Sequence, residues 1–137
     1  MNDIQELKKA YKRFIQNIPT YLKKLRMLMS KDELTFSYEE IDEVQLFHRS
    51  HFERPEEIGT TYKEIGDCYS AYMGEAVVKL KQGKWVFCGQ KSEEAYGEAI
   101  VLNWGGDPQS TRISPEAWRV RNEAGWDEVK SPIFKYW

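Results

Sequence analysis

A chain of 137 residues that is 41% hydrophobic and 14% aromatic is long enough to bury one sizeable core and too apolar to stay disordered. Its net charge of −2 argues against a general nucleic-acid binder. No apolar run approaches the roughly 20 residues of a membrane span, and the opening MNDIQELKKAYKRF lacks the apolar core of a leader peptide. A single domain over residues 1–137, cytoplasmic and without membrane contact, is therefore expected.

The charge is unevenly distributed. Residues 1–31 carry eight Lys/Arg and two Asp/Glu, whereas residues 32–67 carry three Lys/Arg and eleven Asp/Glu. The two blocks can pair inside the fold, or leave an acidic face for a basic partner. Cys68 and Cys88 lie in no CxxC or Cys/His metal spacing, which predicts reduced, partly buried thiols and neither a metal nor a cofactor.

Taken in chain order, Ile4, Leu7, Tyr11, Phe14, Ile15 and Ile18 recur at helical spacing, and Leu22, Leu25, Leu28 and Met29 resume the pattern after Pro19. This predicts two consecutive helices, or one kinked at Pro19. Ser37 and Glu40 form a capping-box spacing ahead of Ile41, Val44 and Phe47, marking a short acidic helix. His48 and His51 near its end are three apart. Without a third ligand they read as surface or helix-end imidazoles and not as a metal pair.

The best helical pattern runs from Pro55 to Leu80, with Ile58, Tyr62, Ile65, Tyr69, Met73, Ala76 and Leu80 on one stripe. Beside it lies a stripe of small residues, Gly59, Gly66, Ser70 and Gly74. Glycine inside a helix costs roughly 0.5–1 kcal/mol relative to alanine, so a close neighbour on that side is expected. It would be another element of the fold or, in an oligomerising module, a second copy; monomer and homodimer both remain open. Gly83 marks the helix stop, Trp85–Cys88 a strand with Trp85 and Phe87 on one face, and residues 89–93 a hairpin loop. Glu94–Trp104 reads as the next strand, with Tyr96, Glu98, Ile100, Leu102 and Trp104 sharing a face. NWGGDPQST is a loop. Ser114, Pro115 and Gly125 delimit a short helix, and WDEVKSPIFKYW reads as a last edge strand or extended segment. The order predicts an α+β fold in which N-terminal helices and one long central helix pack on a small, mostly antiparallel sheet.

One string appears twice: YMGEAVV from Tyr72 and YGEAIVL from Tyr96. The first falls in a helical pattern and the second in a strand pattern, so they are not one duplicated unit. They do present Glu75 and Glu98 as a candidate carboxylate pair, since two carboxyl groups held about 5–10 Å apart can act as acid and base or nucleophile. In this alternative, a small-molecule site or hydrolase, Tyr72, Glu75, Glu98 and Trp104 would line a pocket between the long helix and the sheet. Glu75 falls toward solvent on the helical wheel, and Glu98 is equally suited to a salt bridge, so a structural role weighs more than catalysis. No Ser–His–Asp, Cys–His, Walker or GxGxxG arrangement is present.

The run SYEEIDEV, the helix ending AYMGEAVVKLKQGKW, and the later GG loop and helix resemble small bacterial cytosolic domains built around a YLGEV…GGxW helix. Such domains are similar to immunity proteins of polymorphic toxin systems. The resemblance spans about residues 34–126 and rests on Tyr72, Gly74, Glu75, Gly83 and Trp85, with Gln82–Gly83 standing where a GG pair is typical. It implies a non-enzymatic protein that binds a protein partner, such as a cognate toxin, without a cofactor. The expected contact residues are the acidic run Glu39, Glu40, Asp42, Glu43, Glu53, Glu56 and Glu57.

Overall fold

A computed structural model describes residues 3–102 and 112–125. The fold is α+β. Helix α1 spans Asp3–Leu28, α2 Tyr38–His51, α3 Tyr62–Lys81 and α4 Pro115–Glu123; strands β1 (Lys84–Phe87), β2 (Ala99–Leu102) and β3 (Arg112–Ile113) lie between α3 and α4. The sheet is antiparallel in the order β1-β2-β3, with Trp85 opposite Val101 and Val101 opposite Ile113. The candidate loop at 103–111, the tail at 126–137 and Trp104 lie outside the described residues.

The N-terminal apolar pattern forms one helix that runs through Pro19. Proline removes a single backbone donor, and the flanking apolar positions keep one face on the core, where Ile18 and Leu25 are buried. The chain then leaves α1 through a left-handed Ser30, with the Lys31 N–H donating to the Arg26 carbonyl.

The long central helix begins later than its apolar pattern. Pro55–Ile58 is a separate 3-10 turn, Gly59 adopts φ +80°, and α3 starts after Thr61, whose hydroxyl accepts the Glu64 N–H. Gly59 is therefore a turn residue and not part of the glycine stripe. At the other end the left-handed position belongs to Gln82 (φ 60°), one residue before Gly83, with the Gly83 N–H reaching back to the Val77 carbonyl. Between these ends α3 is the hub. Ile65, Cys68, Tyr69, Ala71, Tyr72, Met73, Ala76 and Val77 are all buried, and α1, α2, α4 and the sheet pack around it.

The two glycines inside α3 answer the question of their neighbour. A Cβ on Gly74 would intrude into the six-membered ring of the Trp85 indole, and a Cβ on Gly66 would sit 3.2 Å from Cδ of Arg119. Ser70, between them, donates its hydroxyl to Glu116 at 3.2 Å. The small-residue face is thus covered by β1 and α4 of the same chain, which removes it as a contact with a second copy. Trp85 and Phe87 share a face, as their alternation predicts, and both meet α1: Trp85 against Phe14 at 5.5 Å and Phe87 against Tyr11 at 5.7 Å between centroids.

The second strand is shorter than its pattern. Residues 91–98 form turns, Gly97 takes φ +88°, and only Ala99–Leu102 is paired. A side chain at Gly97 would press on Leu7 of α1. Tyr96 and Glu98 precede the strand, so they do not share a strand face with Ile100. Helix α4 follows its sequence signals: Ser114 accepts the Ala117 N–H, Pro115 opens the helix, and Gly125 (φ +83°) follows its end.

The two glycines give a test of this packing. Gly74→Ala must displace an indole and is expected to lower unfolding free energy by about 1–3 kcal/mol or more. Gly66→Ala asks the Arg119 stem, 3.2 Å away, to give by only a few tenths of an ångström and gains helix propensity, so its change is expected to stay below about 1 kcal/mol. Urea unfolding of the two variants measures the difference.

Candidate functional site

The acidic run divides into one internal residue and six outer ones. Glu40 is 1% exposed. Its spacing from Ser37 sets the helix cap, and the Ser37 hydroxyl accepts the Glu40 N–H. The Glu40 carboxylate does not return to the Ser37 N–H as a full capping box would. Instead Oε1 accepts the backbone N–H of Thr35 at 2.9 Å and of Phe36 at 2.8 Å, and the Tyr72 hydroxyl at 2.9 Å. Oε2 lies 3.1 Å from Nζ of Lys31. Burial alone would raise its pKa, but these donors together hold it below the ordinary carboxylate range. Glu40 therefore cannot meet a partner, and the expectation that it does is corrected: four donors need it inside the fold. Tyr72 is corrected with it. Its side chain is fully buried, its hydroxyl is given to Glu40, and its ring stacks on Phe36 at 4.8 Å, so it lines no pocket.

On the outer side of α2, Glu39 and Glu43 are exposed and Asp42 is half-buried. Glu43 receives Nζ of Lys31 at 3.0 Å. Glu53, Glu56 and Glu57 are exposed on the turn beyond the helix; Glu57 forms a surface ion pair with Arg54 at 3.8 Å, which contributes little. At the middle of the α2 outer face stands Leu46, 55% exposed. It borders a hollow of about 190 Å³ lined by Asp42, Gln45, Leu46 and Arg49. The apolar spacing of Ile41, Val44 and Phe47 does not include Leu46. The available signal was its angle: at about 100° per residue it projects away from the Ile41–Val44 side, among charged residues.

The two candidate carboxylates are engaged by different partners. Oε2 of Glu75 accepts the indole N–H of Trp85 at 2.8 Å, and Oε1 of Glu98 accepts the Ser114 hydroxyl at 2.6 Å. Glu98 lines a groove of about 490 Å³ between α1, α3, the sheet and the start of α4; Glu75 does not line it. Each carboxylate serves a fold contact, Glu75 fixing the indole that covers Gly74 and Glu98 fixing the residue that caps α4.

The histidine spacing also resolves into structure. His48 is buried, not a surface imidazole, and its Nε2 lies 2.7 Å from Oε2 of Glu123 on α4. A carboxylate partner makes Nε2 the protonated nitrogen, and Nδ1 has no hydrogen-bond partner among the described residues. Glu123 also receives Nη1 of Arg119 at 2.6 Å and the Tyr62 hydroxyl at 2.9 Å. Arg119 in turn pairs with Glu116. Burial would raise the pKa of Glu123, but His48, Tyr62 and Arg119 hold it low. Burial lowers the pKa of His48 and outweighs the pull of Glu123 in the other direction. Among the described residues no group of three or more His, Cys, Asp and Glu side chains is arranged to hold a metal ion. Cys68 and Cys88 are buried, unbonded thiols, and burial pushes Cys68 up to about 12, which keeps it protonated and unreactive.

No protein-family model, curated protein or solved structure matches the chain. No helix among the described residues is long and apolar enough to cross a membrane.

Two substitutions follow from these polar contacts. Glu40→Ala strands two backbone N–H groups, a buried hydroxyl and a lysine, and is expected to cost about 3–5 kcal/mol, whereas exposed Glu39→Ala should change stability by no more than about 0.5 kcal/mol. Chemical denaturation at neutral pH measures both. For His48 the folded pKa lies below the unfolded value of about 6.5, so below that pH the unfolded chain binds a proton that the folded chain resists. Stability should fall as pH drops through that value. The fall should steepen below about 4.5, where the lowered carboxyls of Glu40 and Glu123 add their own loss. His48→Gln keeps a donor toward Glu123 without the titration, and denaturation at stepped pH should show the first decline abolished and the second retained.

Proposed function

We propose that this chain is a non-enzymatic protein-binding domain that docks a basic partner on the outer face of α2, and that it acts as an immunity protein neutralising a toxin by direct binding. The observation that carries the reading is Leu46. A leucine held 55% exposed on a helix, flanked by Glu39, Asp42 and Glu43, matches an interface with an apolar anchor and a charged rim. The acidic rim would speed encounter with a basic surface, and Leu46 would supply the desolvated centre. Glu53, Glu56 and Glu57 continue the acidic character past the end of the helix. The specific toxin-neutralising form is supported by the resemblance of the Tyr72–Trp85 segment to immunity-type domains.

Glu39, Glu53, Glu56, Glu57 and Leu46 are exposed and can change without disturbing the core, so function and folding can be separated. The test co-expresses the chain with a toxin encoded by the adjacent reading frame and measures growth and complex formation. The wild-type chain should restore growth. Glu39→Lys combined with Glu43→Gln, which keeps an acceptor for Lys31, should slow association and weaken its salt dependence, and Leu46→Asp should abolish rescue while leaving the circular dichroism spectrum unchanged. Rescue that survives all three substitutions would remove this face from the interaction. Absence of a neighbouring toxin would remove the immunity role.

A further inference from the structure

The groove beside Glu98 is separate from the α2 face and is built from four elements. Its volume of about 490 Å³ falls within the range of small-molecule sites. Half-buried aromatic rings form its apolar part: Phe14 lies 5.7 Å from Tyr21 and 5.5 Å from Trp85 between centroids. Trp85 is held in place twice, by its contact with Gly74 and by its indole N–H bond to Glu75. The apolar wall is therefore pre-organised.

Most charges at the groove are already matched within the fold. Asp67 receives Lys63 at 2.9 Å, and Glu116 receives Arg119 and the Ser70 hydroxyl. Arg13, Asn17 and Glu98 are among the polar groups that retain capacity. Arg13 and Asn17 stand one turn apart on α1, lining the groove, and no described residue engages either side chain. Glu98, on the turn that Gly97 packs against α1, gives only one oxygen to Ser114. Among the described residues the groove thus joins an unmatched guanidinium and an amide to an unmatched carboxylate oxygen, with aromatic rings alongside. A ligand complementary to all three carries an anionic group, a cationic group and an apolar body.

We propose that this groove binds a small zwitterion with an apolar body, of the class of a free aromatic amino acid: its carboxylate on Arg13 and Asn17, its ammonium on Glu98, and its ring against Phe14, Tyr21 and Trp85. The site is independent of partner docking on α2, and binding requires no covalent step.

The experiment follows the Trp85 indole N–H resonance of nitrogen-15-labelled protein, assigned with Trp85→Phe, during titration with L-phenylalanine. Parallel titrations use phenethylamine, which keeps only the cation, and N-acetyl-phenylalanine amide, which keeps neither charge. A saturable shift with L-phenylalanine, weaker with phenethylamine and weakest with the neutral amide, is expected. Arg13→Ala and Glu98→Gln, each with an otherwise unchanged spectrum, should weaken binding about tenfold, the loss of one charge-assisted hydrogen bond. No saturable shift up to the solubility limit would overturn the proposal. Equal binding of the neutral amide, or affinity indifferent to both substitutions, would overturn it as well.

Discussion

A single buried carboxylate organises the first half of this molecule. Glu40 lies in the most acidic stretch of the chain, yet it sits inside, where an unpaired charge would be prohibitively unfavourable. Its ligands come from three places: Lys31 just beyond α1, Thr35 and Phe36 in the connector, and Tyr72 at the centre of α3. Satisfying it fixes the path between α1 and α2 and the angle at which α2 meets α3. It also accounts for Phe36, a non-glycine residue at φ 57°. That conformation costs on the order of 1 kcal/mol or more. It is held by the N–H bond to Glu40 on one side and by stacking on Tyr72 on the other.

A second polar cluster performs the same task for α4. Glu123 gathers His48 from α2, Tyr62 from α3 and Arg119 from its own helix. Asn122 adds a buried amide that donates to the Gln45 carbonyl and accepts from Arg49. Residue types that suggest catalysis when read singly, a histidine, a glutamate, a tyrosine and an arginine, are here consumed in holding helices together. The two surfaces proposed for recognition lie outward instead: the Leu46 face of α2 and the groove at Arg13, Asn17 and Glu98.

Local signals were legible in the sequence wherever they concerned one element at a time. The Ser37 and Ser114 caps, Pro115, Gly125, the shared face of Trp85 and Phe87, and the α+β order all follow from nearest-neighbour chemistry and periodicity. What could not be read depended on partners far along the chain. The spacing from Ser37 sets Glu40 apart from Glu39 only as a capping position; its burial depends on Tyr72, 32 residues away. Period-two alternation placed Glu98 on a strand face, but Gly97 turns the chain against Leu7 first. The glycine stripe correctly announced a close neighbour, while its identity, Trp85 and Arg119, required the tertiary fold. The twice-occurring Gly–Glu–Ala string illustrates both limits. Its first glycine receives an indole, its second makes a turn, and its two glutamates anchor different contacts.

The central claim is that Glu40 is an internal anchor and not a docking charge. It is tested most directly by hydrogen exchange at the backbone amides of Thr35 and Phe36. Both lie in the connector before α2, where exposed loop amides would exchange quickly. If Glu40 holds them, they will exchange as slowly as the core amides of α3, and Glu40→Gln will accelerate both while leaving the α3 amides protected. Rapid exchange of Thr35 and Phe36 in the unaltered protein would contradict the account.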